Sequence, residues 1–538
     1  MRKKKLLSAM LLCIFVLTGC NGSKNEAKRD SVLDHINAKE NITTITDENT
    51  ESEENDEKDE ETLTGPKVFV DGQYTEERIY EDTHVKLSNL SYSTIHINPD
   101  EYPELSTTLD GWSANRKNEL ISLLDEYAAL AIENTELLEE CLNSEYAYMY
   151  GIYQNLRVQR ADTQIISLLE STNMHTDQYN VQYTGLNFDT QTGQMLSLSD
   201  ILEKEEDFYS AATDYMIEEI RNTNNQENLV AGYENAIANM WNRDVIWYMN
   251  GSGISIMFDY ETEKEVICYD IYRNLYYGLS VTLPYTEFSE FLVEKYTNTQ
   301  NNGVAKIIPN KECILQTPNE TIKINLKTTE FETGFISSII LCVNETEIEI
   351  GDYGYVQSAY IIQKDDGKLF FIITCDYMSE DYVTLSYEIK DGTIHLCDEL
   401  SRVGLTDGTI NNESMTLSVY IDALGSYTSR TKYTLDENGK FCMMDDMYHF
   451  GGKGPAYSYY KLKTIKELPV VMGGVETLLP IGSQICITGT DNIGIITFYD
   501  ANTGQSGEIH YERNEDEWEI LINGCSEYDY FEVLPYAG

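Results

Sequence analysis

Between about 305 and 460 the chain is punctuated by Asp365-Asp366-Gly367, Lys390-Asp391-Gly392 and Glu437-Asn438-Gly439. Acid-Gly and Asn-Gly pairs reach the positive φ angles that tight hairpin turns demand. Between them lie short runs rich in β-branched and aromatic residues, such as Ile372-Ile373-Thr374-Cys375, with turn signals about every ten residues. A chain cut this often has little room for helix. The spacing predicts an antiparallel β domain over 301–460, as a sandwich, barrel or partial propeller. No clean internal repeat accompanies it.

The pattern upstream, from 83 to 300, is α+β. Residues 87–97 alternate like a strand. Over 111–142, Leu120, Leu123, Leu124, Tyr127, Leu130, Leu137, Leu138 and Cys141 recur at three and four, the apolar stripe of an amphipathic helix. Ser113 is the expected N-cap. Strands are expected near 156–170 and 178–188. The second ends in Asp189-Thr190-Gln191-Thr192-Gly193, a hairpin turn in which Asp bonds the backbone and Gly takes positive φ. Helices capped by Ser199 and Thr286, a helix near 229–241, and a strand-turn-strand around Asn250-Gly251-Ser252-Gly253 complete this part. Residues 461–538 read as a further small β unit, with Asp500-Ala501-Asn502-Thr503-Gly504 repeating the Asp189 turn chemistry.

The first residues carry an export pattern. Arg2, Lys3, Lys4 and Lys5 precede an apolar run from Leu6 to Leu17. Twelve residues at about 1.5 Å rise give roughly 18 Å, short of the roughly 30 Å hydrocarbon layer, so the run is read as a signal peptide over 1–20. Leu17-Thr18-Gly19-Cys20 resembles the lipobox of bacterial lipoproteins. That resemblance implies cleavage before Cys20, diacylglycerol on its thiol, and a place on the outer face of the cell membrane; the small residues Thr18 and Gly19 suit a narrow peptidase cleft. Two or three acyl chains hold a protein firmly. The segment 21–82 is expected to be an acidic disordered tether, densest at Glu51-Ser52-Glu53-Glu54-Asn55-Asp56-Glu57.

With 91 acidic and 38 basic residues the formal charge is −53, and loss of the four N-terminal cations with the signal takes it to −57. Such a field repels nucleic acid and anionic lipid headgroups and attracts cationic partners. The cysteines stand singly, without C-x-x-C, so neither a zinc site nor a disulfide framework is expected. Cys375 and Cys486, inside apolar strands, read as small buried hydrophobes.

No catalytic constellation emerges. His35, His84, His96, His175, His395, His449 and His510 are scattered, without metal-ligand spacing. No G-x-S-x-G elbow or phosphate loop occurs, and Gly451-Gly452-Lys453-Gly454 lacks the required spacing. No enzyme, cofactor or metal is expected. Tyrosine is abundant, with 40 residues, among them Tyr272, Tyr276, Tyr277, Tyr457, Tyr459 and Tyr460. Such rings suit strands and binding faces.

The run from Gly185 through Asp189-Thr190-Gln191-Thr192-Gly193 to Leu198-Ser199-Asp200-Ile201-Leu202, with Tyr102-Pro103-Glu104-Leu105 upstream and Gly278 to Tyr285 downstream, resembles the domain of unknown function 3298 with its companion 4163. The resemblance spans about two fifths of the chain. It implies the cell envelope, because that family includes the extracellular part of a lysozyme-sensing anti-sigma factor and accompanies a peptidoglycan deacetylase. Neither the sensor's transmembrane helix and cytoplasmic segment nor the deacetylase domain is read in this sequence, so direct sigma-factor control and deacetylation are not expected. The last residues resemble a bacterial SH3-type barrel. The expectation is a surface-anchored binding or sensing lipoprotein for a lysozyme-like basic protein, or alternatively a peptidoglycan-binding scaffold or accessory subunit, with no nucleic acid partner. An enzyme of unrecognised type is the remaining alternative.

Overall fold

The computed structural model describes residues 65–536 apart from 82, 84, 144–147, 176–178, 224–227, 268–277, 298–302, 318–319, 331–335, 352, 378–381, 406–408, 451–460 and 515–518. The lipobox residues Leu17, Thr18, Gly19 and Cys20, together with His35, His84, Cys268, the six tyrosines named above and the Gly451 run, lie outside them. The described part is mostly β, with several antiparallel sheets and a helical N-terminal region. Among the described residues no sheet closes into a barrel.

The helix differs from expectation at both ends. It spans Pro103–Glu133, with proline at its first turn, where no backbone N–H is needed. Gly111 therefore lies inside it. Ser113 does not cap; its hydroxyl exchanges hydrogen bonds with the Ile95 backbone at 3.2 and 3.3 Å. Asn134 then ends the helix and caps a second one, Thr135–Leu142, by accepting from the Leu137 N–H at 3.3 Å. Leu120, Leu124, Ala128 and Ala131 bury the stripe, while Leu130 faces outward.

A ten-stranded sheet organises the molecule. Its main path runs Phe69–Ile79, Lys86–His96, Tyr148–Ala161, Val304–Lys306, Tyr355–Gln363, Leu369–Asp376, Tyr382–Lys390 and Thr393–Ser401; Ile165–His175 and Tyr179–Asp189 branch from the third strand. Phe69–Ile79 thus leaves the tether expected over 21–82, because Val68 and Val70 have apolar cover in the core. Three strands occupy 148–189 where two are expected. The extra reversal is made by Asp162, whose carboxylate accepts from the Gln164 and Ile165 N–H groups. The sheet also joins strands from either side of residue 300, so the segments 83–300 and 301–460 share one ladder.

Strands Tyr355–Gln363 and Leu369–Asp376 are buried on both faces. Tyr360, Ile362, Phe370 and Ile372 enter one core; Ala359, Ile361, Phe371 and Ile373 enter another. This is the period of two expressed twice. The sheet Cys313–Gln316, Thr321–Glu330, Ile336–Val343 and Thr346–Gly351 covers one face, and the sheet built on Ser414–Asp422 and Ser426–Leu435 covers the other.

The strand Ile246–Met249 is fastened to the large sheet by buried polar bonds. Met249 N–H donates to the Ser167 hydroxyl, Ser167 donates to Asn187, and the Asn187 amide donates to the Trp247 carbonyl, at 2.7, 2.6 and 3.0 Å. Gly185 permits this approach, since a Cβ there would fall 1.8 Å from the Trp247 oxygen.

Candidate functional site

The last quarter of the chain builds the candidate site. A seven-stranded sheet orders Tyr448–His449, Gln484–Thr490, Ile495–Asp500, Ser506–His510, Leu468–Met472 and Val475–Leu479, with Leu462–Lys463 also on Gln484–Thr490. Glycines 473 and 474, both at positive φ, reverse the chain between Leu468–Met472 and Val475–Leu479. The second of these strands is an edge. Its residues are exposed up to Leu478, with Val475 at 65% and Leu478 at 56% of their free surface. An apolar edge left open is a template for strand pairing with another chain.

Beside this edge lies a cleft of about 560 Å³. Pro469 faces Leu478 and Val471 faces Glu476 across the hairpin, so the four share one face and line the cleft. His510, Tyr511 and Glu512 line it as the chain leaves the large sheet for the small one, Glu512–Asn514, Glu519–Ile522 and Cys525–Ser526. Leu521, Asn523 and Gly524 complete the lining. Asn523 and Gly524 both take positive φ, as a two-residue Asn-Gly hairpin requires.

Tyr511 is held by its N–H to the Gly494 carbonyl at 2.9 Å, with the Arg513 guanidinium 6.0 Å from its ring centroid. It is 6% exposed, and its hydroxyl is buried without a hydrogen-bond partner among the described residues. An unpaired buried hydroxyl is costly and marks a place where a ligand group is useful. His510 Nε2 lies 3.6 Å from Glu508, at the surface. The cleft therefore offers carboxylates, a histidine, an amide and apolar side chains beside an open strand. That set can hold an extended cationic chain with apolar side groups.

The remaining histidines sit apart. His96 pairs with Asp71 at 3.0 Å, His175 packs edge-on to Tyr153, His395 bonds Thr393, and His449 joins a short strand. Among the described residues no group of His, Cys, Asp or Glu is placed to hold a metal. Among the described cysteines, Cys141, Cys313, Cys342, Cys375 and Cys486 are buried. No helix of the described residues is long and apolar enough to cross a membrane.

The run 185–202, prominent in the sequence, proves structural. The Asp189 carboxylate accepts from the Gln191 and Thr192 N–H groups at 3.1 and 2.9 Å, from Lys295, and from the Tyr296 hydroxyl at 3.0 Å. Burial disfavours its charge, yet the bonds from Lys295, Thr192 and Tyr296 prevail and hold the carboxyl down at about 2. Ser197 and Asp200 form a capping box on a single turn, Leu198–Ile201, in place of the helix start expected at Ser199. The cleft residues carry no motif that singles them out in the sequence; the one signal is the Asn523-Gly524 pair.

No protein-family model matches this sequence, and no curated protein does. Among solved structures the chain is similar to a member of the DUF3298 family from Bacteroides fragilis, at 16% identity, covering 43% of this chain and 95% of that one with a TM-score of 0.32. It is also similar to a DUF3298 family protein from Pseudomonas aeruginosa, at 14% identity, covering 44% of this chain and 98% of that one with a TM-score of 0.29. Both neighbours come from the family that the run 185–202 resembles.

Proposed function

We propose that this protein is a lipid-anchored binding protein of the cell envelope, tethered through Cys20, which captures a basic wall-active protein of the lysozyme kind at its C-terminal cleft. The observation that carries this reading is the cleft itself, where Glu476 and Glu512 flank an open apolar edge strand and the buried Tyr511. A partner segment adds to the edge through its backbone, its cations meet the carboxylates, and its apolar groups cover Leu478 and Val471. The formal charge of −53 speeds the encounter and fades with salt, while cleft contacts do not.

A second reading is a peptidoglycan-binding scaffold, in which the segment 461–538 acts as an SH3-like module. It is favoured by the same cleft, whose size suits a short peptide. Binding to immobilised lysozyme, compared with sedimentation on purified sacculi, separates the two. Saturable lysozyme binding at physiological salt supports the first reading; sedimentation without lysozyme binding replaces it with the second.

A further inference from the structure

The ten-stranded sheet forks along one edge of Tyr148–Ala161. On its other edge this strand pairs with Ile165–His175 from Gly151 to Ala161. On the forked edge it pairs in parallel with Lys86–His96 only up to Tyr153, and with Val304–Lys306 only at Arg160 and Ala161. On the forked edge residues 154–159 have no paired strand among the described residues. Side chains close the ends of the gap. Gln154 accepts from the Ser93 N–H at 2.8 Å, and the Tyr360 hydroxyl donates to the Val158 carbonyl at 3.1 Å.

Within the fork sit two cations. Extending the register one residue past Ala305 opposite Arg160 places Lys306 alongside Gln159. Arg157 is near enough for its charge to act on Lys306, Tyr248 and Tyr360. Among the described residues neither cation has a carboxylate partner. Arg157 Nε is buried without a hydrogen bond. So are both amide atoms of Gln159, a residue only 1% exposed.

The chain has 91 acids and 38 basic residues, and other cations of these sheets do meet a carboxylate. Arg160, three residues on in the same strand, has Asp162 at 2.7 Å and Tyr285 at 2.8 Å. Arg116 has Glu170 at 2.7 Å, and Lys311 has Glu219 at 2.8 Å. A partly buried charge without a partner is costly, as is a buried amide with both atoms unpaired. Here these costs fall on neighbouring residues, where one ligand relieves them together.

We propose that the fork is a binding site for a small oxyanion, a carboxylate or a phosphate, held by Arg157 and Lys306 and hydrogen-bonded by the Gln159 amide. The guanidinium fork suits paired oxygens, the ammonium adds a point charge, and the Gln159 Nε2 donates a further bond. The Gln159 carbonyl accepts from a hydroxyl on the ligand, which favours a hydroxy acid over a bare anion. Lys306 is half-buried, so the site keeps a path to solvent.

The test uses the full chain in detergent, titrated with sodium lactate and with inorganic phosphate. Ionic strength is held constant with chloride, because screening alone steadies so acidic a protein. Saturable binding by calorimetry, weakened about tenfold or more in Arg157→Gln and in Lys306→Met, is expected, and whichever probe binds names the class. Binding of lactate, whose own charge is fixed in this range, is also expected to weaken from about pH 7 to about pH 10 in the wild type and to stay flat in Lys306→Met, since burial and Arg157 lower the Lys306 ammonium to about 8. The groups facing it are Arg157, Tyr248 and Tyr360. Saturation by neither probe beyond chloride, or binding unchanged in both variants, overturns the proposal. Melting without added anion gives an independent check. Lys306→Met removes an unpaired cation and raises the midpoint; a fall overturns the claim that the cation lacks a partner.

Discussion

Gly193 packs directly on the backbone of Glu104: a Cβ on Gly193 would lie 2.8 Å from the Glu104 carbonyl carbon. The two residues lie in separate stretches of the chain, 102–105 and 185–202, that the fold brings together. The turn at Asp189 docks on the first turn of the helix Pro103–Glu133. Gly504 occupies the same place in the Asp500 turn, at φ 71° against 67° for Gly193, but has open space around it.

Gly193→Ala and Gly504→Ala form a matched pair. Both incur the cost of left-handed backbone, about 1 kcal/mol. Only Gly193→Ala adds a backbone collision, for a total of about 2–4 kcal/mol. Urea denaturation checks this, and equal midpoint shifts would contradict the docking.

Asp189 gives the fold an acid-side weakness. Its folded carboxyl titrates near 2, below the ordinary 3.8. The contribution is therefore present above about pH 4 and is lost as pH falls toward 2. Asp189→Asn is expected to cost about 1–2 kcal/mol at neutral pH and progressively less as pH drops through that window. A variant whose deficit is constant down to pH 2 would show that the charge is not what matters.

Glu527 acts in the opposite direction. It is 2% exposed, accepts from the Tyr536 hydroxyl at 3.0 Å, and has its second oxygen buried without a partner among the described residues. Burial pushes it up to about 7 from the ordinary 4.5. The folded state holds its proton more tightly than the unfolded state, so stability falls as pH rises from about 4.5 through 7. Glu527→Gln is expected to stabilise by about 1–2 kcal/mol at pH 8 and to change little at pH 4. Thermal melting at the two pH values decides; equal shifts at both would contradict it.

Local chemistry was the legible part of the sequence. The Asp391-Gly392 reversal, the twin turns at Asp189 and Asp500, and the Asn250 turn all form through bonds between near neighbours, and residue type specifies them. The helix start was harder. Gly111 and Ser113 look like a beginning, but Pro103 fits the first turn and Ser113 is claimed by Ile95. The Asp162 reversal contains no glycine to announce it. The continuity of the sheet across residue 300 rests on Arg160 pairing with Ala305 and Ala161 with Val304, partners far apart in the chain that no local pattern connects. The cleft joins residues 469–478 to 510–524, and no motif marks side chains that meet only through packing. Arg157 and Lys306 look like ordinary strand cations until their surroundings are seen to lack a carboxylate.

The central claim, capture of a basic protein at the cleft, is tested most directly by charge reversal there. Binding of the full chain to immobilised lysozyme at physiological salt is measured for the wild type, for Glu476→Lys with Glu512→Lys, and for Glu136→Lys with Glu139→Lys on the exposed side of the helix Thr135–Leu142. Both pairs change net charge equally. Saturable wild-type binding, weakened about tenfold or more by the cleft pair and nearly unchanged by the helix pair, is the predicted result. Equal loss in both pairs, or no saturable wild-type binding, would contradict it.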